Sequence, residues 1–271
     1  MLQAVPVPDL RIIPTTQIIP HEQHDQQRSL PLLRRIQTAE LFTNPPIVAA
    51  TSDDRFVVLD GANRHHVFSE LQYPHLLVQV VDYESEQVTL SRWQHVVSHL
   101  PQVMLIDQLD RVSGLKLNRG WHGDALAHII LREGITVSLQ VEGAGSLQER
   151  NQILCDVVNT YRDQARLERT HLQKPEEIWP IYPEASALVL FPLYQPRDII
   201  AAAVHQAYLP PGISRHIIQG RALRLNYPMD ALRDTEQSTE QKNAALQAWM
   251  LDRFANKAVR FYAEGTYLFD E

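Results

Sequence analysis

The sequence predicts a mixed α/β (α+β) protein built as two lobes. Three observations carry this. Short apolar runs that read as strands alternate at close spacing with amphipathic helical stretches in the N-terminal part. Phe56-Val57-Val58-Leu59 is followed by Asp60-Gly61 and then by helical spacing from Asn63, with Val67, Phe68 and Leu71 on one face. From Pro101 the pattern changes, so a division into residues 1–100 and residues 101–271 is expected. A chain of 271 residues is long enough for two such lobes.

In chain order, residues 10–13 and 18–19 read as a first strand and its continuation, punctuated by Pro14 and Pro20. Residues 28–42 carry Leu32, Leu33, Ile36 and Leu41 at helical spacing, with Arg34 and Arg35 on the other side, and Pro45-Pro46 stops that helix. Residues 47–50 and 56–59 form a hairpin around 52–55. The helix after Asn63 ends near Tyr73-Pro74, and residues 76–81 and 88–97 are extended. In the second lobe the spacing predicts a helix over 121–131, a strand over 135–141 and a turn at 143–145. A long helix over 146–172 follows, opened by Ser146 and Glu149 as a capping box. Residues 187–191 read as a buried strand and 197–208 as a helix. Residues 221–225 read as a strand, 235–254 as a helix, and 259–269 as a closing strand or hairpin.

Composition narrows the function. Hydrophobic residues are 44% and charged residues 21%, as in ordinary globular proteins. A formal net charge of −7 argues against a general nucleic-acid-coating surface, which needs a positive field. The single cysteine, Cys155, excludes an internal disulfide framework and fits a reducing cytoplasm. It lies in an apolar helical pattern and reads as a core residue. The N-terminus lacks a basic region followed by an apolar run, and no later stretch is long enough to span a bilayer. A soluble cytoplasmic protein with no membrane partner is expected.

The strand–glycine–helix unit is the first candidate for chemistry. It gathers backbone N–H groups and a positive dipole end at one point, which favours a phosphate. Arg64 adds fork-shaped charge, and Asp60 could hold Mg²⁺ or orient a substrate. The plainer reading is an ordinary turn with a capping aspartate. Glu22, in His21-Glu22, is a second carboxylate suited to a general base beside a metal holder, although such a pair on a loop is commonly just solvated. His21-x-x-His24 and His65-His66 invite a metal or haem reading, against imperfect spacing and no nearby cysteine. Ser214-Arg215-His216, after Pro210-Pro211-Gly212, offers a hydroxyl, a guanidinium and an imidazole to a small zwitterion, or is a polar turn. Gly220-Arg221 adds a cation. Trp93 reads first as core.

Taken in order, Glu22, Asp60-Gly61-x-x-Arg64, Trp93-Gln94-His95, Pro211-Gly212-x-Ser214-Arg215-His216 and Gly220-Arg221 resemble the free L-serine kinases of the ParB/sulfiredoxin superfamily. The likeness is greatest to the SbnI type linked to siderophore biosynthesis, and it extends to Phe254-Ala255-Asn256 and Tyr267-Leu268. The resemblance implies a ParB/sulfiredoxin-like N-terminal lobe, a second α/β lobe carrying the serine-binding turn, and an active-site cleft between them. It implies ATP or ADP as donor with Mg²⁺, L-serine as acceptor, Glu22 as general base, and Asp60, with Glu22, as metal-holding carboxylate. Gly61, Ala62, Asn63, Arg64 and His65, with Arg28, would bind the nucleotide. Trp93, Ser214, Arg215 and His216 would surround the serine.

Two positions depart from the pattern. Many relatives have histidine where this chain has Asn63, and threonine where it has Ser214. The alternative class is a ParB-like regulator binding nucleotide or DNA without turnover. The acidic chain and the mixed charge of residues 235–254 count against it. A haem-responsive kinase is a third reading, resting on histidines without a ligand signature.

Overall fold

A computed structural model describes residues 7–262. The chain runs through β1 (Asp9–Pro14), a 3-10 turn at Thr15–Gln17, β2 (Ile18–Pro20), α1 (Gln26–Thr38), β3 (Leu41–Phe42), β4 (Ile47–Ala50), β5 (Phe56–Asp60), α2 (Ala62–Glu70) and β6 (His75–Val81). It continues through β7 (Val88–Arg92), β8 (Gln94–Ser98), α3 (Gln102–Asp110), β9 (Leu115–Arg119), β10 (Ala127–Leu131), β11 (Thr136–Val141), α4 (Leu147–Arg162) and β12 (Arg166–Thr170). The last elements are α5 (Pro175–Ile178), β13 (Ala185–Leu190), α6 (Pro196–Val204), β14 (Ser214–Ile218), β15 (Tyr227–Pro228), α7 (Met229–Arg233) and α8 (Thr239–Ala255). The mixed α/β class expected from the sequence is what is found.

The contacts divide the chain into two units. The first comprises the residues up to Pro20, His24–Thr89 and those from Ile218 onward; the second comprises His21–Gln23 and Leu90–Ile217. The sequence suggested one division near residue 100. In the structure the second unit includes the short His21–Gln23 stretch, because backbone bonds Leu209 N to His21 O and Gln23 N to Leu209 O, both 2.9 Å, dock it there.

In the first unit a five-stranded sheet has the order β1-β6-β4-β5-β2. The pairs β1/β6 and β4/β5 are antiparallel, while β4/β6 and β2/β5 are parallel. Val57, Val58 and Leu59 are buried, which is why β5 reads as a continuous apolar run. Phe68 of α2 is fully buried between Phe42 and Tyr73, with ring centroids 5.1 and 4.6 Å away. Burial of such a ring contributes about 2–3 kcal/mol. Helix α8 packs Leu246 and Met250 into the same core. Its Lys242, also buried, donates to Asp234 O and faces His75 Nδ1 at 3.1 Å, so the charge is hydrogen-bonded where water is excluded.

The second unit is built on an all-antiparallel six-stranded sheet, β12-β8-β13-β10-β11-β9. Helix α4 opens with the expected capping box: Ser146 Oγ accepts from Glu149 N, and the Glu149 carboxylate accepts from Ser146 N at 2.7 Å. Cys155 is buried on this helix, and desolvation pushes its thiol up to about 12, in keeping with a core role. Two small ribbons, β7/β14 and β3/β15, complete the structure.

Several expectations are corrected. Residues 121–131 are a turn followed by β10. The helix from Ser146 ends at Arg162, and residues 166–170 form β12. Leu41–Phe42 leaves α1 to form β3, and 221–225 is irregular chain, held by Ala222 N to Gln79 Oε1 (2.8 Å) and Leu225 N to Thr43 O (2.8 Å). Of the expected closing strand, 259–262 is irregular and the remainder lies outside the described residues. Among the described residues, no helix is long and apolar enough to cross a membrane.

Candidate active site

In the first unit, β5 delivers Asp60 to the start of α2. Gly61, the N-cap of α2, has φ 101° and ψ 28°, a left-handed conformation that glycine adopts without steric cost. A Cβ there would also lie 2.8 Å from Arg64 Nη2 and 3.0 Å from Pro46 Cβ. The bare glycine therefore lets the helix begin directly beneath the guanidinium. Arg64 Nη2 donates to Asp60 Oδ2 at 2.9 Å, and Arg221 Nη2 donates to the same oxygen at 2.5 Å. Two cations share one carboxylate oxygen, leaving the cluster net positive at the positive end of a helix. Side-chain exposures of 22% for Arg64, 33% for Arg221 and 39% for Asp60 keep it within reach of a ligand. Such an arrangement is chemically suited to an anion.

The other residues expected to bind the nucleotide separate into two groups. Ala62 and Asn63 place their N–H groups in the first turn of α2, where a helix has no internal acceptors for them. Asn63 Oδ1 accepts from Asp25 N at 2.8 Å, which leaves its NH₂ as the side-chain donor. Asp25 caps α1 by accepting from Gln27 N at 3.1 Å, and exposed Arg28 lies 3.8 Å from its carboxylate. His65 is different: its ring is buried, hydrogen-bonded to the backbone of Thr15 and Ile18, and burial pushes its pKa down. It braces α2 from the core side.

The histidines also sort themselves. His24 stacks on His66 with centroids 3.6 Å apart and planes 4° from parallel. Burial and the proximity of His24 lower the pKa of His66, favouring its neutral ring. His21 belongs instead with Ser214 and His216. No group of three or more His, Cys, Asp or Glu side chains gathers for a metal among the described residues. Magnesium bound by one or two carboxylates together with substrate phosphates needs no such cage, and that is the form of metal holding Asp60 or Glu22 could support.

In the second unit, Glu22 and the 209–216 turn come together. Glu22 Oε2 accepts from Gly212 N at 2.6 Å. His21 Nε2 and Ser214 Oγ are 2.8 Å apart, with both residues buried, and the His216 ring meets the His21 ring edge-on at 5.5 Å. The backbone N–H of Trp93 donates to Ile213 O at 2.9 Å, and the Arg215 guanidinium lies over the Trp93 indole at 4.2 Å. The base of the turn is fastened to α4 by Asn151 Nδ2 to Ala207 O at 2.6 Å and Cys155 Sγ to Tyr208 O at 3.4 Å. A carboxylate, a hydroxyl, two imidazoles and a stacked cation thus line one corner of this unit. Arg169, which the sequence reading placed inside a helix and passed over, reaches the same corner from β12, with Nη2 3.1 Å from Pro211 O. With one apolar residue among 166–170, no alternation marked this strand in the sequence.

No family model matches the chain. The fold nonetheless has solved counterparts. The structure matches SbnI with a C-terminal truncation from Staphylococcus aureus at TM-score 0.72, 20% identity, covering 90% of this chain and 97% of that one. It matches a free serine kinase in complex with AMP, a variant with one glutamate replaced by glutamine, at TM-score 0.71, 14% identity, covering 83% and 94%. A free serine kinase in complex with ADP, a variant with one glutamate replaced by alanine, matches at TM-score 0.70 with 14% identity and the same coverage. This chain therefore has the fold of those proteins. In sequence it is similar to the ATP-dependent L-serine kinase SbnI of Staphylococcus aureus, with 25% identity over 273 aligned residues and 97% of each chain covered.

Proposed function

We propose that this protein is an ATP-dependent kinase of free L-serine, releasing O-phospho-L-serine and ADP. The observation that carries the reading is the Glu22–Gly212–Ser214–His21 corner. There a carboxylate is held by a 2.6 Å backbone donor beside a hydroxyl and two imidazoles, in a chain similar throughout to a serine kinase. That a glutamate was the residue exchanged in the free serine kinase variants supports giving the base role to a glutamate here.

In this reading Glu22 accepts the proton of the serine hydroxyl as its Oγ forms a bond to the γ-phosphorus. The bond from that phosphorus to the β,γ-bridging oxygen breaks, and ADP leaves with the electron pair. Trp93, Ser214, Arg215 and His216 orient the amino acid, with Arg215 facing its carboxylate. The α2 start, Arg64 and Arg221, with Arg28 and the Asn63 NH₂, hold phosphate oxygens and offset charge that builds on them during transfer. Mg²⁺, entering with the nucleotide and held by Asp60, would neutralise phosphate charge. A cytoplasmic enzyme supplying phosphoserine to siderophore or cysteine-type biosynthesis is the setting that fits this product.

The test is phosphorus NMR of the purified protein with Mg²⁺, L-serine and either ATP or ADP. A phosphoserine resonance with ATP supports the reading, and its appearance with ADP alone reassigns the donor. Nucleotide binding without phosphoserine would favour a regulatory protein.

A further inference from the structure

The Pro211–Gly212 peptide group is gripped at both ends. Its carbonyl oxygen accepts from Arg169 Nη2 at 3.1 Å, and its N–H donates to Glu22 Oε2 at 2.6 Å. A cation on the oxygen and an anion on the N–H polarise one amide in the same sense, so each bond strengthens the other. Gly212 has φ 71°, and a Pro-Gly pair with positive φ at the glycine is the type II turn signature. In the type I alternative this central peptide is turned over, which would carry the N–H away from Glu22 and the carbonyl away from Arg169. The guanidinium packs directly against the glycine, so a Cβ at 212 would collide with it.

We propose that Arg169 is a positioning residue of the serine-phosphorylating centre. It locks the Pro211–Gly212 peptide in the orientation that presents the Gly212 N–H to Glu22, and so sets the direction of the carboxylate that takes the serine proton. The inference rests on the kinase reading and extends it to a residue that acts through the Pro211–Gly212 peptide. Arg169 lies on β12, opposite His95 in the register, and the turn it grips is independently fastened to α4 through Asn151. The orientation of one peptide, rather than the existence of the turn, is what Arg169 adds.

The experiment uses the full chain as wild type, Arg169→Met and Arg169→Lys. The amide-proton shift of Gly212 in ¹⁵N-labelled protein is followed together with kcat and KM for serine. The expected result is a strongly downfield Gly212 amide in the wild type that moves upfield in Arg169→Met. With it kcat should fall about ten- to a hundredfold, the scale of a displaced catalytic group, while KM changes little. Arg169→Lys, which keeps a donor, should recover part of both. If Arg169→Met does not fold, Arg169→Ala, which likewise removes the donor, carries the same comparison. An active wild type with an unshifted Gly212 amide or unchanged kcat in the variant overturns the positioning role alone. An inactive wild type overturns the kinase reading, and the inference with it.

Discussion

Arg221 and Asp60 stand 161 positions apart in sequence, yet Arg221 Nη2 lies 2.5 Å from Asp60 Oδ2, the oxygen that Arg64 also contacts. The carboxylate holds two guanidinium groups in fixed directions at the start of α2. Arg221→Ala should therefore weaken ATP binding about tenfold, the effect of one lost charge-assisted contact, with little change in thermal stability. Calorimetric titration with ATP measures this, and an unchanged dissociation constant would count against Arg221 as a phosphate ligand.

Gly61→Ala puts a side chain into the left-handed region and against Arg64 and Pro46. The expected cost is about 1–3 kcal/mol of unfolding free energy, accompanied by weaker nucleotide binding because Arg64 must move. Urea unfolding and the same titration read the two effects. A variant as stable as the wild type with full affinity would contradict this account of the turn.

The buried histidines make stability depend on pH. His95 is fully buried with Nδ1 3.0 Å from Tyr161 Oη; burial first, then the charge of Arg169, pushes its pKa down to about 3. The ordinary histidine value is about 6.5, so between these values the unfolded chain binds the proton and the folded chain does not. Stability is thus retained above about pH 6.5 and falls as the pH is lowered toward 3, by about 1.4 kcal/mol per pH unit for each such group. His65 and His75 are shifted in the same direction, mainly by burial. Urea midpoints between pH 8 and 5 should decline, and His95→Phe should flatten the decline whatever its effect on the midpoint at pH 8. An unaltered slope would mean that His95 does not stay neutral in the fold.

The turn at Asp60-Gly61 was legible in the sequence because a buried strand, a glycine and a helical stripe each carry a strong local signal. The residues of the 209–216 turn were legible one by one, but only the family resemblance grouped them with Glu22, since the contact itself arises from backbone pairing between His21–Gln23 and Leu209. Residues 127–131 misled because Ala127, His128, Ile129 and Leu131 are all buried, which erases the alternation that marks a strand. Residues 166–170 misled because Arg, Leu and Glu favour helices, whereas pairing with β8 at the sheet edge decides their conformation. Arg169 was lost with that strand, and with it one side of the Glu22 corner.

The most direct test of the central claim is serine phosphorylation by Glu22→Gln beside the wild type, followed by phosphorus NMR with ATP and Mg²⁺. A glutamine can still accept from the Gly212 N–H, which spares the turn, but it cannot take a proton from serine. The account predicts that phosphoserine formation falls by about two to four orders of magnitude, while ATP binding and the melting temperature stay near wild type. Turnover by Glu22→Gln at the wild-type rate would contradict the assignment of Glu22 as the general base.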